Sequence, residues 1–239
     1  MPRSRQPARS DRTRDRILHA AIREFSEHGL AGARTSAIAA AARVNKALLY
    51  YYFRDKETLY TTGLEEVAGK VAGDALVVLE LDCTPGERIL RLVLQHFDRI
   101  CSQHGFQALM QQEMVRFRTG QSNAIRIIAQ RAFEPMWNRT LEIVGEGIRS
   151  GELCKVDPMQ MMYSALGANV FYFLSAPMVR LVTAHDPLEP GALATRRHAA
   201  LEFLGHAIFT DRKHGARLAR HVLDAMPLPA NTFPERKTA

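Results

Sequence analysis

The sequence predicts an all-α chain in two parts: a three-helix helix-turn-helix unit at the N-terminus and a larger helical bundle after it. Three observations carry this prediction. From Thr13 onward apolar residues recur at helical spacing, and no alternating strand pattern is found. The three-residue connection Arg43-Val44-Asn45 joins two short helical patterns and is too tight for a sheet, so the second helix must cross the first. The charge is also polarised. Residues 1–56 hold 12 Lys/Arg against 5 Asp/Glu, while the rest of the chain holds 20 of each, so the whole formal excess of +7 lies in the first quarter.

The elements follow in order. A first helix is expected from Asp11 to His28, with Ile17, Leu18, Ala21, Ile22 and Phe25 on one face and Gly29 as its stop. A second, short helix follows Thr35, which can cap it, and turns Ile38, Ala39 and Ala42 inward. The third runs from Lys46 to Phe53. The fourth starts after Asp55 and reaches Gly73. Thr84-Pro85-Gly86-Glu87 then combines a cap, a proline at the first helical position and a Glu three residues after the cap. That helix should reach Gln103. Gly105 sets off a segment ending near Arg118, and Gly120 precedes a long helix to Ser150, kinked at Pro135 and closed by Gly151. Asp157-Pro158 opens an apolar helix through at least Ala176, residues 186–190 form a loop, and a strong helix covers Ala192 to Phe209. A weaker helix is expected at 215–225.

In domain terms this gives a basic flexible arm at 1–10 and the helix-turn-helix unit at 11–56. A larger helical domain at 57–226 follows, with helix four (55–73) linking the two, and then a disordered tail at 227–239 carrying Pro227, Pro229 and Pro234.

Composition excludes several classes. Hydrophobic residues make up 46% and charged ones 24%, the mixture of a protein with a real core. No run approaches the roughly 18 apolar residues of a membrane span, and no signal peptide is visible, so a cytoplasmic protein is expected. Cys83, Cys101 and Cys154 show neither a C-x-x-C pair nor a metal spacing, which predicts buried thiols and no metal site, with a redox switch as the alternative. The nine histidines form no H-x-x-x-H with an acidic partner, and phosphate loops and serine elbows are absent. No enzyme and no cofactor are expected.

A basic lobe on a neutral body is what a module docking on phosphates requires, although a flexible basic tail would supply part of that charge. Within the helix-turn-helix, Ile38, Ala39, Val44, Leu49 and Phe53 can meet on one inner face. Lys46, Ala47, Leu48, Tyr50, Tyr51 and Tyr52 are left over, most of them outward. A basic, aromatic helix of about two turns fits a DNA major groove.

These residues resemble the TetR family. Its pattern, Ile-Ala-x-x-Ala-Gly-Val-Ser-Lys-Gly-x-Leu-Tyr-x-His/Tyr-Phe followed by a Lys-Glu pair, stands here as Ile38-Ala39, Ala42-Arg43-Val44-Asn45-Lys46-Ala47-Leu48-Leu49-Tyr50-Tyr51-Tyr52-Phe53 and Lys56-Glu57. Phe25-Ser26-Glu27-His28-Gly29 and Thr35 match upstream, so the likeness covers about residues 13–60. Two departures stand out. Arg43 replaces a turn glycine, where a left-handed conformation costs roughly 1 kcal/mol, and Ala47 replaces a glycine of the reading helix.

The resemblance implies a homodimeric regulator bound to a double-stranded DNA operator. It implies phosphate contacts for Thr35, Tyr51 and Lys56 and a groove lining of Ser36, Lys46, Ala47, Leu48, Tyr50 and Tyr52, with Asn45 in the same DNA-binding set. Lys46 would donate to a guanine edge and Leu48 would touch a thymine methyl. Small and apolar stripes later in the chain, through Ala165 and Ala168 on one helix and Ala200, Phe203, Leu204 and Ala207 on another, would form the dimer bundle. An effector cavity is expected among His96, Phe106, Met110, Glu113, Met114, Phe117, Phe133, Trp137, Phe171 and Tyr172. The expected protein is a repressor released from a palindromic operator by a small, largely apolar molecule. The alternative is a constitutive helix-turn-helix repressor or architectural DNA-binding protein with no effector.

Overall fold

The computed structural model describes residues 9–229, so the first eight residues of the expected arm and the last ten of the expected tail lie outside the described residues. Eleven α-helices and one π-helical turn are found among the described residues, with no strand beyond an isolated bridge between Leu153 and Phe209. The all-α expectation stands. The contacts divide the described residues into two compact units. One compact unit contains residues up to 71 together with 105–133, and a second contains 72–104 together with residues from 134 onward.

The first unit starts with α1 (Arg9–Gly32), whose regular path is broken at Gly29, where φ is 65. Any side chain there would be strained by this positive φ, so the expected stop signal marks a backbone requirement for glycine. Next come α2 (Thr35–Ala41), α3 (Lys46–Tyr52) and the first part of α4 (Lys56–Leu79). Ile17, Leu18, Phe25, Ile38, Ala39, Leu49, Phe53, Leu59, Tyr60 and Leu64 are all buried in one cluster, so the inner face inferred from spacing is the core. Full burial of each large apolar side chain contributes on the order of 2 kcal/mol.

The same cluster takes in Leu109 of α6 (His104–Arg118) and Ala124 of α7 (Ala124–Ile128). The close approach of α6 to α1 depends on Gly105, where an added Cβ would meet the Ser26 Cβ at 2.7 Å.

The expected long helix from Gly120 to Ser150 is interrupted. After α7 the chain makes a π-helical turn, Ala129–Phe133, before α8 (Glu134–Arg149). Pro135 lacks an N–H and its ring would crowd the carbonyl four residues back, and the wider π turn sits where that conflict falls.

The second unit holds the end of α4, α5 (Pro85–Ser102), α8, α9 (Pro158–Val182), α10 (Pro190–Ala207) and α11 (Arg212–Ala225). Its core gathers Leu79, Ile89, Leu90, Val93, Ile143, Met162, Leu201 and Phe209. The start of α5 is capped as expected by Thr84, whose hydroxyl accepts from the Glu87 N–H at 3.2 Å. The Glu87 carboxylate turns instead to Arg91 at 2.7 Å. The acid at this helix start is Glu152, from far along the chain, which accepts from the Gly86 N–H at 2.9 Å and from the Thr84 hydroxyl at 2.6 Å.

A buried ion pair also crosses the second unit. Arg197 of α10 binds Asp98 of α5 through two bonds of 2.7 and 2.9 Å and donates to the Met226 carbonyl after α11. Burial raises the Asp98 pKa even though Arg197 opposes the shift.

Helix α9 corrects the expectation of no membrane-length run. It is 25 residues long with an 18-residue window of mean hydropathy 1.4, enough by length and composition to cross a membrane. The run was hidden because Ser164, Asn169 and Ser175 punctuate it. Met161, Met162, Ala165, Asn169 and Ala176 enter the unit's own core, while Tyr163, Phe171, Leu174, Met178 and Leu181 are exposed.

Candidate nucleic-acid interface

The interface is built on the turn between α2 and α3. The N–H of Arg43 donates to the Ala40 carbonyl at 3.0 Å and that of Val44 to the Ala39 carbonyl at 2.9 Å. This pair of bonds is the Schellman closure, which needs a left-handed residue just past the cap. Arg43 fills that place with φ 53, the lone non-glycine residue of positive φ among those described. Asn45 then starts α3, its side-chain oxygen accepting from the Leu48 N–H at 2.7 Å. That oxygen is committed to the cap, so Asn45 sets the helix direction before it can contact anything else.

On α3 only Leu49 is fully buried. Lys46, Ala47, Leu48, Tyr50 and Tyr51 are exposed, Tyr51 by 79%, so most of the expected reading residues are open to solvent. Tyr52 is half-buried and its hydroxyl lies 3.2 Å from the Ser10 hydroxyl of α1. It braces the helix as well as flanking its face. The Tyr50 hydroxyl donates to the Thr35 hydroxyl at 3.3 Å, tying α3 to the first residue of α2.

Thr35 does not cap α2, as the sequence had suggested. Arg34 occupies the cap with no side-chain bond, and its N–H donates to Glu24 at 2.9 Å. Ser36 is exposed beside Thr35.

Lys56, at the start of α4, donates to the Ala31 carbonyl near the end of α1 at 3.3 Å. Asp55 caps α4 by accepting from the Thr58 N–H at 2.7 Å, and that bond above all holds its carboxyl below the usual range. Sequence reasoning left out Arg34, Arg43 and Arg54, all exposed cations next to or within these turns. Their signal was the excess of basic residues before position 57.

The expected effector residues fall in both units. Phe106, Met110, Glu113, Met114, Phe117 and Phe133 belong to the first unit, and His96, Trp137, Phe171 and Tyr172 to the second. Phe106 and Met110 pack on the first core, Glu113 is fully buried, and Met114 is exposed. Phe117 carries the Arg126 guanidinium 5.9 Å from its ring centre, and Phe133 ends the π turn. In the second unit Trp137 packs against Tyr163 at 5.9 Å, Phe171 is exposed, and the Tyr172 hydroxyl donates to the Pro187 carbonyl at 2.6 Å. His96 lies beside Asn169.

The expected dimer stripe divides as well. Phe203 is 71% exposed, Ala168 and Ala207 are exposed and Ala200 is half-buried, but Leu204 and Ala165 are buried in their own unit's core. Helical rotation explains the correction: Leu204 lies one residue, about 100°, from Phe203 and so faces inward.

Comparison with known proteins bears on the first of these surfaces most directly. Residues 17–61 match the profile of the bacterial regulatory proteins of the tetR family. The transcriptional repressor NicS of Pseudomonas putida is 40% identical over 82 residues, 34% of this chain and 38% of that protein. The repressor SCO4008 of Streptomyces coelicolor is 50% identical over 54 residues, 23% of this chain and 28% of that protein. The chain thus covers well under half the length of these two relatives. For the fold as a whole, the transcriptional regulator FadR of Bacillus subtilis, solved with stearoyl-CoA, superposes with a TM-score of 0.60 at 23% identity, covering 80% of this chain and 96% of that one. The N-terminal segment is thus similar to that of the tetR family of bacterial regulatory proteins, and the likeness of the longer chain to solved regulators is one of fold.

Proposed function

We propose that the protein is a homodimeric, DNA-binding transcriptional repressor that holds a palindromic operator in the cytoplasm and leaves it when a small, largely apolar effector binds. The observation that carries this reading is the outward face of α3. Lys46, Leu48, Tyr50 and Tyr51 are exposed on a helix fixed by the Arg43 closure, the Asn45 cap and the buried Leu49. In the proposal Lys46 and Leu48 read base edges, Ser36, Asn45, Ala47, Tyr50 and Tyr52 line the groove, and Thr35, Tyr51 and Lys56 hold phosphates. NicS and SCO4008, which share this segment, carry the name of repressors.

The dimer reading rests on the second unit. Tyr163, Phe171, Leu174, Met178 and Leu181 on α9 and Phe203 on α10 are large apolar side chains left exposed by a single chain. Large apolar side chains left exposed in this way mark an association surface, and a second copy covers them with the same face, as two-fold symmetry requires.

Mobility shift with the DNA upstream of the protein's own gene tests the reading. A retarded complex that weakens steeply with salt is expected, because phosphate contacts release counterions. Equal affinity for that DNA and for unrelated duplexes would defeat it.

A further inference from the structure

The side chain of Arg43 is one that the fold itself does not use. Its backbone closes the turn between α2 and α3 with φ 53, the left-handed region that disfavours a side chain. Glycine makes such a turn without that cost. Ala42 before it is buried and Val44 after it is half-buried, whereas Arg43 stands in solvent. Among the described residues its guanidinium has no hydrogen bond, ion pair or ring partner.

The neighbouring sequence offers it no counter-charge. No acidic residue lies between Glu27 and Asp55, while Arg34, Arg43, Lys46 and Arg54 all fall in that stretch and all are exposed. The carboxylate at its far end is already engaged: Asp55 caps α4 through the Thr58 N–H and pairs with Arg54 at 3.3 Å. Arg43 and Lys46, three residues apart where α3 begins, therefore carry positive charge that no described carboxylate answers.

A strained, exposed and unpartnered cation adds nothing to the stability of its own chain. Strain of this kind gathers at functional sites. The planar fork of guanidinium N–H donors suits a phosphate above other acceptors on DNA that carry no charge. Placement points the same way. In a helix-turn-helix the first helix of the pair crosses the sugar–phosphate backbone and the second lies in the groove. A helix with its side chains is about 10–12 Å wide and the major groove about 12 Å, so α3 fills the groove from wall to wall. Arg43 belongs to the turn between the two helices, ahead of the Asn45 cap, and so stands at the groove's edge.

We propose that Arg43 holds a DNA phosphate at the edge of the groove that α3 occupies, a contact additional to those of Thr35, Tyr51 and Lys56. The inference rests on the DNA-binding reading above. Such a contact strengthens binding to any duplex and expresses no preference among sequences.

Wild type, R43K, R43A and R43G are compared by mobility shift on the DNA upstream of the protein's own gene and on an unrelated duplex of equal length, over about 50 to 200 mM salt. R43A and R43G should bind both duplexes at least about fivefold more weakly at the middle of that range, with the salt slope lower by about 0.9 for each protomer on the DNA. R43K keeps the charge and should keep the wild-type slope. Thermal unfolding of the same samples shows that each variant is folded. Glycine separates charge from shape, because it suits the turn better than arginine does. Weaker DNA binding by a variant of higher Tm is an outcome that a merely structural role for Arg43 does not produce.

Affinity and slope unchanged in R43A and R43G overturn the proposal, as does a lowered slope that lysine fails to restore. A loss confined to the upstream DNA also overturns it, since a phosphate contact must act on both duplexes. If R43A does not fold, R43G and R43K decide. Wild type that binds neither duplex removes the regulator reading and this contact together. Wild type that binds both equally defeats the operator reading alone, and the slopes still decide on Arg43.

Discussion

The Arg43 N–H donates to the Ala40 carbonyl at 3.0 Å from a backbone whose φ is 53, so the turn that aims α3 is closed by a residue in a conformation that suits glycine. A Cβ in that region costs roughly 1–2 kcal/mol, and glycine relieves it at some expense in unfolded-chain entropy. Arg43→Gly should therefore stabilise the protein by about 0.5–1 kcal/mol, raising Tm by about 2 °C for a chain of this size. Arg43→Ala keeps the Cβ and should leave Tm near wild type. A glycine variant no more stable than the alanine one would show that the turn is unstrained.

The two lysines of the reading surface should separate in their effects. Lys56 stands at the start of α4, where the helix dipole favours an anion, so Lys56→Ala should weaken binding to every duplex and lower the salt slope by about one. Lys46 lies on the exposed face of α3, so Lys46→Ala should also reduce discrimination between sites, by about 1–3 kcal/mol if it reads one base pair. Mobility shift over a salt series measures both. Unchanged affinity in the two variants would remove α3 from the groove.

Phe203 and Leu204 are neighbours on α10 with opposite fates, one 71% and the other 8% exposed. Phe203→Glu should leave the fold intact and yield monomers by sedimentation, because the charge is buried only when a second copy covers it. Leu204→Glu puts the same charge into the chain's own core and should unfold the protein or cost several kcal/mol. Wild-type protein that sediments as a monomer at micromolar concentration contradicts the dimer reading.

What was legible in the sequence is local. Ile38, Leu49 and Phe53 declare their burial by spacing, Asn45 caps by type, and Gly29 marks the break in α1 because its positive φ disfavours any side chain. The contacts that spacing could not reveal cross long stretches of chain. Glu152 caps a helix that begins 67 residues earlier, and Leu109 joins the core of α1 only because Gly105 lets α6 approach Ser26. The expected effector residues share a type, large and apolar or aromatic with a few polar groups, and type does not say which unit a side chain joins. Glu113 was in that set as one polar group among several, but its full burial and its pairing with Arg116 at 2.8 Å depend on how α6 is placed in the first unit.

His96 yields a prediction with a definite sign. Burial, assisted by the Arg99 charge, lowers its pKa from 6.5 to about 4. The Asn169 amide nitrogen lies 3.4 Å from His96 Nδ1, and an amide N–H can only donate, so the arrangement suits a neutral ring whose Nδ1 accepts. Asn169 is itself held by donating to the Val93 carbonyl at 3.0 Å, and Arg99 is paired with Asp74 at 3.0 Å, so neither turns away at small cost. The folded pKa lies below the unfolded one. The unfolded chain thus takes up the proton first, and the stability present above pH 6.5 is lost as the pH falls toward 4. In that window the slope due to this one group is at most about 1.4 kcal/mol per pH unit. Other groups titrate over the same range, so the comparison must be with His96→Gln, which keeps polarity but cannot titrate. Urea unfolding at pH 7, 6 and 5 should show the wild type losing more stability than His96→Gln at each step down. Parallel losses would mean that His96 takes up its proton equally well in the folded chain.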